Sequence, residues 1–504
     1  MIDIAERIEG IFSHKADRFA LCIDQVKYTY AQLRQRVLCI QAQLEGAARP
    51  AETLIGVVAV NHLDTYAAVL AVLRSGRAFV PLNPEHPGER NASIVRQAGL
   101  RTVLATDAGR ALDAALLQDC TLLLASDAAT ASPSAVAAVG ADALAYLLFT
   151  SGSTGEPKGV PITRGNLAAF LDALSASECA MFDSDRVLQM FDLTFDFSIA
   201  AYLAPLASGA CVYTVGNDKA KYAEIYGLLC DEALTVAPLV PSVLNYLKPY
   251  FDEIDLPQLR LSFFCGEALL ADIVGAWEKC APASVIVNFY GPTEATVFAT
   301  YYHWSSRDGK NKTLNGVVSI GRPMVDNFAI VVDDNLAPVA RGEKGELCLA
   351  GPQLTPGYWQ DPQRDARTFF HHTLDGAALK FYRTGDIVSE DEAGDLLFCG
   401  RVDHQIKLQG YRVELGEIEH HVRELLSEHA FVVVPFTTAQ GSVSLILVVE
   451  RYTGDLKQVV QTLREHIPSY MVPARAVSLD SLPLNANGKI DRKALQKQFE
   501  VAHG

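Results

Sequence analysis

Residues 146–159 read YLLFTSGSTGEPKG, and this stretch decides how the rest of the chain is read. The apolar run 145–149 predicts a buried strand. It breaks into a polar loop: Thr150, Ser151, Gly152, Ser153, Thr154, Gly155, Glu156, Pro157, Lys158 and Gly159. The three glycines permit close backbone approach or positive φ. Four hydroxyls and a lysine lie between them. Backbone N–H groups in such a turn form a concavity for an anion, and Lys158 adds a point charge. Lys158 is followed by Gly159, not by Ser or Thr, so this is not a Walker A loop. Without further context, a polar surface loop is the competing reading.

Upstream, strand-like runs at 54–60, 77–82, 102–106 and 121–125 alternate with helical patterns at 63–75 and from about 108. Downstream, 166–177 reads as helix and 210–215, 259–264 and 285–290 as strands. Strands alternating with helices predict a mostly parallel, layered α/β sheet, with ligands at the carboxyl ends of the strands. The Ala/Ser-rich stretch 126–140 reads as a surface connection. From about 328, short β segments with Gly and Asp turns predict a smaller β subdomain. From about 404 the pattern changes again. Residues 414–429 are amphipathic, with Ile418, Val422, Leu425 and Leu426 at helical spacing. Strands at 431–436 and 443–450 and a helix near 455–466 complete a small α+β domain.

At 504 residues the chain exceeds one ordinary core. Hydrophobic residues make up 49% and charged residues 20%, as in a folded globular protein. No apolar stretch reaches membrane-spanning length, and the N-terminus lacks a signal-peptide core, so membrane insertion is not expected and the expected location is cytoplasmic. The net charge of −16 argues against nucleic acid as a partner. The ten cysteines show no CxxC pair or metal-ligand spacing and are expected as free thiols.

Four further stretches follow the loop in order: NFYGPTEATV (288–297), FYRTGDIV (381–388), GRVDHQIKLQGYRVELGEIE (400–419) and LPLNANGKIDRKAL (482–495). With TSGSTGEPKG they resemble the core motifs of the adenylate-forming superfamily, which holds peptide-synthetase adenylation domains, acyl-CoA synthetases and luciferases. The resemblance spans nearly the whole chain. It implies an N-terminal adenylation core over 1–402, with ATP and amino-acid sites, and a mobile C-terminal domain over 403–504 carrying the catalytic lysine.

The resemblance also assigns expected roles. Glu294 matches the family's magnesium-associated glutamate, and a hard carboxylate oxygen suits Mg²⁺ on ATP phosphates. Thr150, Ser151, Gly152, Ser153, Thr154, Lys158 and Thr293 are expected around the nucleotide. Tyr290 offers a face to adenine and Asn288 is placed to meet its polar edge. Asp386 matches the acceptor for both ribose hydroxyls, and Arg401 a second nucleotide contact. Asp403 matches the hinge, where a few residues absorb a backbone change. Lys489, presented by a turn of Asn485, Asn487 and Gly488, matches the mobile cation that stabilises charge as a carboxylate attacks the α-phosphate. For each, an ordinary loop, core or surface role is the bland alternative.

Residues 188–202, LQMFDLTFDFSIAAY, resemble the family segment whose aspartate holds a substrate α-ammonium. Position matching selects Asp196, with Asp192, one helical turn earlier, in reserve. A buried carboxylate needs a cation, which an amino acid supplies and a fatty acid does not. The matched pocket positions are Phe197, Ala200, Phe263, Cys265, Phe289, Val297 and Phe298. Four phenylalanines predict a small substrate side chain. FFCGEAL, the EIEHH helix start and the chain length resemble the D-alanine–D-alanyl carrier protein ligase branch. Phe289, Phe298, Ala200 and Ala201 depart from it. The first expectation is thus ATP- and Mg²⁺-dependent activation of a small amino acid, D-alanine first. Transfer would follow to the phosphopantetheine thiol of a carrier protein supplied in trans, with Gly410 facing the thiol. The alternatives are another stand-alone peptide-pathway adenylation enzyme, an acyl-CoA synthetase for a small acid, and an inactive binding protein on the same fold. HHTLDG (371–376) and DSL (480–482) mimic other motifs and are read as ordinary chain.

Overall fold

The computed structural model describes residues 2–106, 119–128, 135–152, 155–216, 221–305, 311–403, 405–438, 441–484 and 490–501. The helix expected from about 108, part of the 126–140 connection, Ser153, Thr154 and the Asn485–Lys489 turn lie outside those residues.

Two sheets organise the N-terminal part. A six-stranded sheet runs Thr121–Leu124, Thr102–Ala105, Leu54–Val58, Ala78–Leu82, Leu144–Thr150, Lys158–Thr163. All its pairings are parallel except the last. A nine-stranded sheet has a parallel centre of Val285–Tyr290, Leu261–Phe264, Val236–Leu239, Arg186–Gln189, Cys211–Thr214 and Phe19–Ile23, flanked by antiparallel strands. LIGVV and AFVPL are buried throughout, as expected where both faces of a parallel sheet are covered. One continuous apolar core joins the two sheets through the helices Tyr30–Ala47, Leu63–Arg74 and Arg164–Ser175.

The 150–159 loop is tighter than its sequence suggests. Lys158–Thr163 turns back and pairs antiparallel with Leu144–Thr150, Thr150 facing Lys158. Pro161 disguises that strand, and the disguise is possible because it is an edge strand, where proline is tolerated.

The β subdomain is a five-stranded antiparallel sheet from Phe328–Val332 to Leu396–Arg401. HHTLDG forms its hairpin Phe369–Leu374/Ala377–Glu390, with Asp375 and Gly376 at positive φ in the turn. After Arg401 come a two-stranded hairpin, Gln405–Leu408/Tyr411–Glu414, and a three-stranded sheet, Phe431–Thr437, Val443–Glu450, Arg475–Leu479. Helices Leu415–Leu425 and Leu456–His466 cover one face of that sheet and Arg492–Val501 the other, around cores built only from residues beyond 405. All ten cysteines are unpaired. Among the described residues no helix is long and apolar enough to cross a membrane.

Candidate active site

The phosphate-loop candidates sit where the Leu144–Thr150 strand ends. Gly152 is required there: a Cβ would lie 2.1 Å from the Glu156 carbonyl oxygen. The Thr150 hydroxyl is buried without a protein partner among the described residues. The Ser151 hydroxyl donates to the Arg412 carbonyl at 2.6 Å. Lys158 runs under this loop and reaches Glu294 at 3.2 Å. Burial and the Arg412 charge bring the Lys158 ammonium down to about 8, against the opposing pull of Glu294.

Glu294 is fully buried in the turn after Val285–Tyr290. Lys158 and the Tyr358 hydroxyl, at 2.6 Å, hold one carboxylate oxygen, and Arg412, at 2.8 Å, holds the other. Burial alone would push this carboxyl up; Arg412, Lys158 and Tyr358 overcome it and keep it ionised. Breaking one partner out of such a buried set costs about 3–5 kcal/mol. Among the described residues no group of three or more His, Cys, Asp or Glu could hold a metal ion. A single hard carboxylate fits a Mg²⁺ carried mainly by nucleotide phosphates and water, once Arg412 has withdrawn.

Across the cleft, the Tyr290 hydroxyl donates to Asp386 at 2.5 Å, and Arg401 donates to the other Asp386 oxygen at 2.6 Å. Arg401 also grips both oxygens of Asp403, at 2.7 and 2.8 Å. Burial opposes ionisation of Asp403, but Arg401 holds its carboxyl below the usual range. Asp403 thus sits at the junction where the β subdomain gives way to the hairpin. Asn288 is buried, and its amide donates to the Ser319 carbonyl at 2.9 Å.

A cavity of about 40 Å³ brings the two sets together: Asp196, Cys265, Thr293 and Val297 line it with Asp386 and Arg401. Burial pushes the Asp196 carboxyl up to about 6, while a hydrogen bond from Thr293 and the charge of Lys407 pull it down. The Cys265 thiol is pushed up to about 12, chiefly by burial, and stays protonated. Of the four phenylalanines, Phe197 lines this cavity and the other three pack behind it. Phe289 stacks on Phe298 at 4.2 Å; Phe197 and Phe263 meet Phe298 edge-on at 5.3 and 5.9 Å. Ala200 is fully buried beside them in a π-helical turn, Ile199–Leu203. Asp192 is not a helical turn before Asp196. It lies in irregular chain, caps the Thr194 N–H at 2.9 Å, and faces Asn83 and His86 outside this cavity.

Several residues here, Gly410 apart, carry no sequence expectation. The Arg412 side chain reaches Glu294. Glu417, on the helix Leu415–Leu425, pairs with Arg90 at 2.7 Å and accepts from the Gly152 N–H at 3.1 Å. Gly410, at φ +87°, packs where a Cβ would lie 2.5 Å from Val240 and 3.4 Å from Phe195. Tyr358 and Thr355 brace Glu294, and Gln353 donates to the Phe298 carbonyl in the turn that follows. The run QGYRVELGEIE marks the stretch, but nothing in it says which charges cross to the N-terminal part.

A family model for AMP-binding enzymes matches residues 11–359. A probable non-canonical nonribosomal peptide synthetase, CymA, of Salinispora arenicola is 35% identical over 486 residues, covering 95% of this chain and 6% of that protein. Tyrocidine synthase 3 of Brevibacillus parabrevis is 30% identical over 509 residues, covering 98% of this chain and 8% of that protein. The chain therefore spans less than a tenth of the length of these relatives. Among solved structures, the Vibrio cholerae adenylation domain AlmE in complex with glycyl-adenosine-5′-phosphate superposes with a TM-score of 0.85 at 27% identity, covering 99% of this chain and 98% of that one. A nonribosomal peptide synthetase protein containing adenylation and PCP domains, bound to a vinylsulfonamide inhibitor, gives 0.86 at 26% identity, covering 98% and 84%. The large N-terminal part and smaller C-terminal part share the layout of these adenylation domains, and the chain belongs to the AMP-binding enzyme family.

Proposed function

We propose that this enzyme activates a small amino acid with ATP as the aminoacyl-adenylate and then passes the acyl group to the phosphopantetheine thiol of a carrier protein. The observation that carries the reading is Asp196: a carboxylate raised by burial, in a cavity of about 40 Å³ lined by Phe197, with Phe263, Phe289 and Phe298 packed behind it. A substrate α-ammonium restores its charge balance, and the phenylalanine packing admits little beyond a β-carbon. Glycine and alanine fit, with D-alanine the first candidate. The glycyl-adenylate in the AlmE complex is of the same size class.

In the first step the amino-acid carboxylate attacks the α-phosphorus and pyrophosphate leaves. Asp386 accepts from the ribose hydroxyls, Tyr290 offers its ring to adenine with Asn288 beside it, and Arg401 braces Asp386. Thr150, Ser151, Gly152, Ser153, Thr154, Thr293 and Lys158 receive the phosphates. Glu294 would hold a Mg²⁺, which would supply neutralisation of phosphate charge. Lys489 supplies the mobile cation at the α-phosphate.

In the second step residues 403–504 pivot about Asp403 against the core of 1–402. What supports this is the present seating of the hairpin: Gly410 lies between Val240 and Phe195, and Arg412 occupies Glu294. A side chain at position 410 would unseat the hairpin from the face where the thiol arm is to enter, and while it is seated Arg412 engages the Glu294 oxygen that would otherwise be open to a metal. The unpaired cysteines fit a reducing, cytoplasmic location. The test is amino-acid-dependent ATP–pyrophosphate exchange, followed by mass-spectrometric detection of aminoacyl thioester on holo-carrier protein against coenzyme A as acceptor.

A further inference from the structure

Thr296 and Val297 are consecutive residues with positive φ, 52° and 71°. For a β-branched side chain this is a true outlier, and such strain persists only where the surroundings over-determine it. The Phe298 N–H returns to the Thr296 carbonyl at 3.0 Å and closes a three-residue turn.

Among the described residues, the Gln353 side chain reaches the turn's carbonyls. Gln353, fully buried, follows the strand Lys344–Ala350. Its Nε2 donates to the carbonyls of Phe298 at 2.6 Å and of Ala295 and Thr296 at 3.3 Å each. The Thr296 hydroxyl donates back to the Gln353 carbonyl at 2.5 Å. Asn327 fixes the amide's orientation by donating to its Oε1 at 2.6 Å. Gly291 makes the space: a Cβ there would lie 2.3 Å from the Val297 carbonyl oxygen.

The turn carries Val297, which lines the cavity with Asp196 and Cys265, and Phe298, which stacks on Phe289 and backs the cavity-lining Phe197. We propose that Gln353 is the positioning residue for side-chain selectivity: by holding this strained turn it keeps Val297 and Phe298 where they exclude amino acids larger than alanine. This rests on the amino-acid-activation reading above. The nucleotide side is held separately, because the Thr355 N–H donates to the Glu294 carbonyl at 2.9 Å and Tyr358 holds its carboxylate. Loss of Gln353 donors should therefore loosen the acid pocket and spare the ATP site.

Gln353→Met keeps the length and volume and removes the donors. Asn327→Asp, at a half-buried position, replaces the orienting donor with an acceptor and turns the Gln353 amide away. The measurement is pyrophosphate exchange over glycine, both alanines, valine, leucine and their amine-free analogues, with KM for ATP and Tm for each variant. The kcat/KM ratio of alanine to leucine is expected to fall about tenfold or more in Gln353→Met and about threefold in Asn327→Asp, with KM for ATP unchanged within about twofold. A ratio unmoved in both variants, or amino-acid and ATP KM rising together with a lower Tm, overturns the proposal. If Gln353→Met does not fold, Asn327→Asp decides by the same ratio. A wild type that exchanges with no acid sinks the activation reading and this inference with it. A wild type that exchanges, with variants of unchanged ratio, sinks this inference alone.

Discussion

Glu417, from the C-terminal helix Leu415–Leu425, accepts a hydrogen bond at 3.1 Å from the backbone N–H of Gly152 in the loop after the Leu144–Thr150 strand. A carboxylate thus occupies an amide that the sequence marks for a phosphate, and Arg90 balances its charge at 2.7 Å. With Arg412 on Glu294, the seated C-terminal part fills the polyphosphate apparatus with its own groups. If the proposed phosphate roles hold, nucleotide polyphosphate and this seating exclude each other.

Glu417→Gln keeps an acceptor for Gly152 and deletes the pair with Arg90. It is expected to weaken the seating, leave pyrophosphate exchange within about twofold, and cut thioester transfer by about tenfold or more, since an unpaired buried Arg costs several kcal/mol. Separate assays of the two half-reactions check this; equal loss in both contradicts it.

Gly410→Ala puts a methyl group 2.5 Å from Val240 at a φ of +87°. Transfer to a carrier thiol is expected to fall by at least about a hundredfold while adenylation persists, because a misplaced approach of about 1 Å has that order of effect. Single-turnover transfer from preformed adenylate is the readout.

Asp196 ties activity to pH. Its folded value of about 6 lies above the unfolded value near 3.9. The charged form that binds the α-ammonium is present above pH 6 and lost as pH falls through it. The kcat/KM for the amino acid should drop about tenfold per unit below pH 6. The ionised carboxylate costs stability above its folded value, and that cost vanishes below the unfolded one. Asp196→Asn is therefore expected to abolish amino-acid use and to raise stability at pH 7–8 by on the order of 2–3 kcal/mol, a gain that fades toward pH 4. Thermal melts across pH check the sign.

Lys489→Ala is expected to lower pyrophosphate exchange by several orders of magnitude, on the scale of removing a transition-state cation, and to spare transfer from supplied adenylate. Equal loss in both steps contradicts a role confined to adenylation.

The strands were legible because parallel strands buried on both faces read as continuous apolar runs: LIGVV, AFVPL and VIVNFY fall within a residue or two of their expected bounds. Period and turn residues likewise marked the amphipathic helix at 415 and the loop at 150. Phe197, Phe263, Phe289 and Phe298 pack together, Phe263 and Phe289 from neighbouring parallel strands and Phe197 and Phe298 from segments outside the strands. Lys158–Thr163 was hidden by its proline. Arg412, Glu417 and Gln353 were hidden for a different reason. A charge on a polar helix face, or a glutamine in GPQLTPGYW, has no local signature, and its meaning appears only when a distant segment packs against it. Asp192, the reserve to Asp196, was read one helical turn before it, but the chain there bends through separate turns, with the Phe195 N–H on the Asp192 carbonyl and the Thr194 N–H on its carboxylate.

The central claim is that a buried carboxylate in a small aromatic-lined cavity selects an amino acid for adenylation. ATP–pyrophosphate exchange over glycine, D-alanine, L-alanine, leucine, phenylalanine and propionate tests it most directly. Exchange is predicted with glycine or an alanine, little with leucine or phenylalanine, and none with propionate. Exchange driven by propionate or by a large aromatic amino acid, or no exchange with any small amino acid, contradicts it.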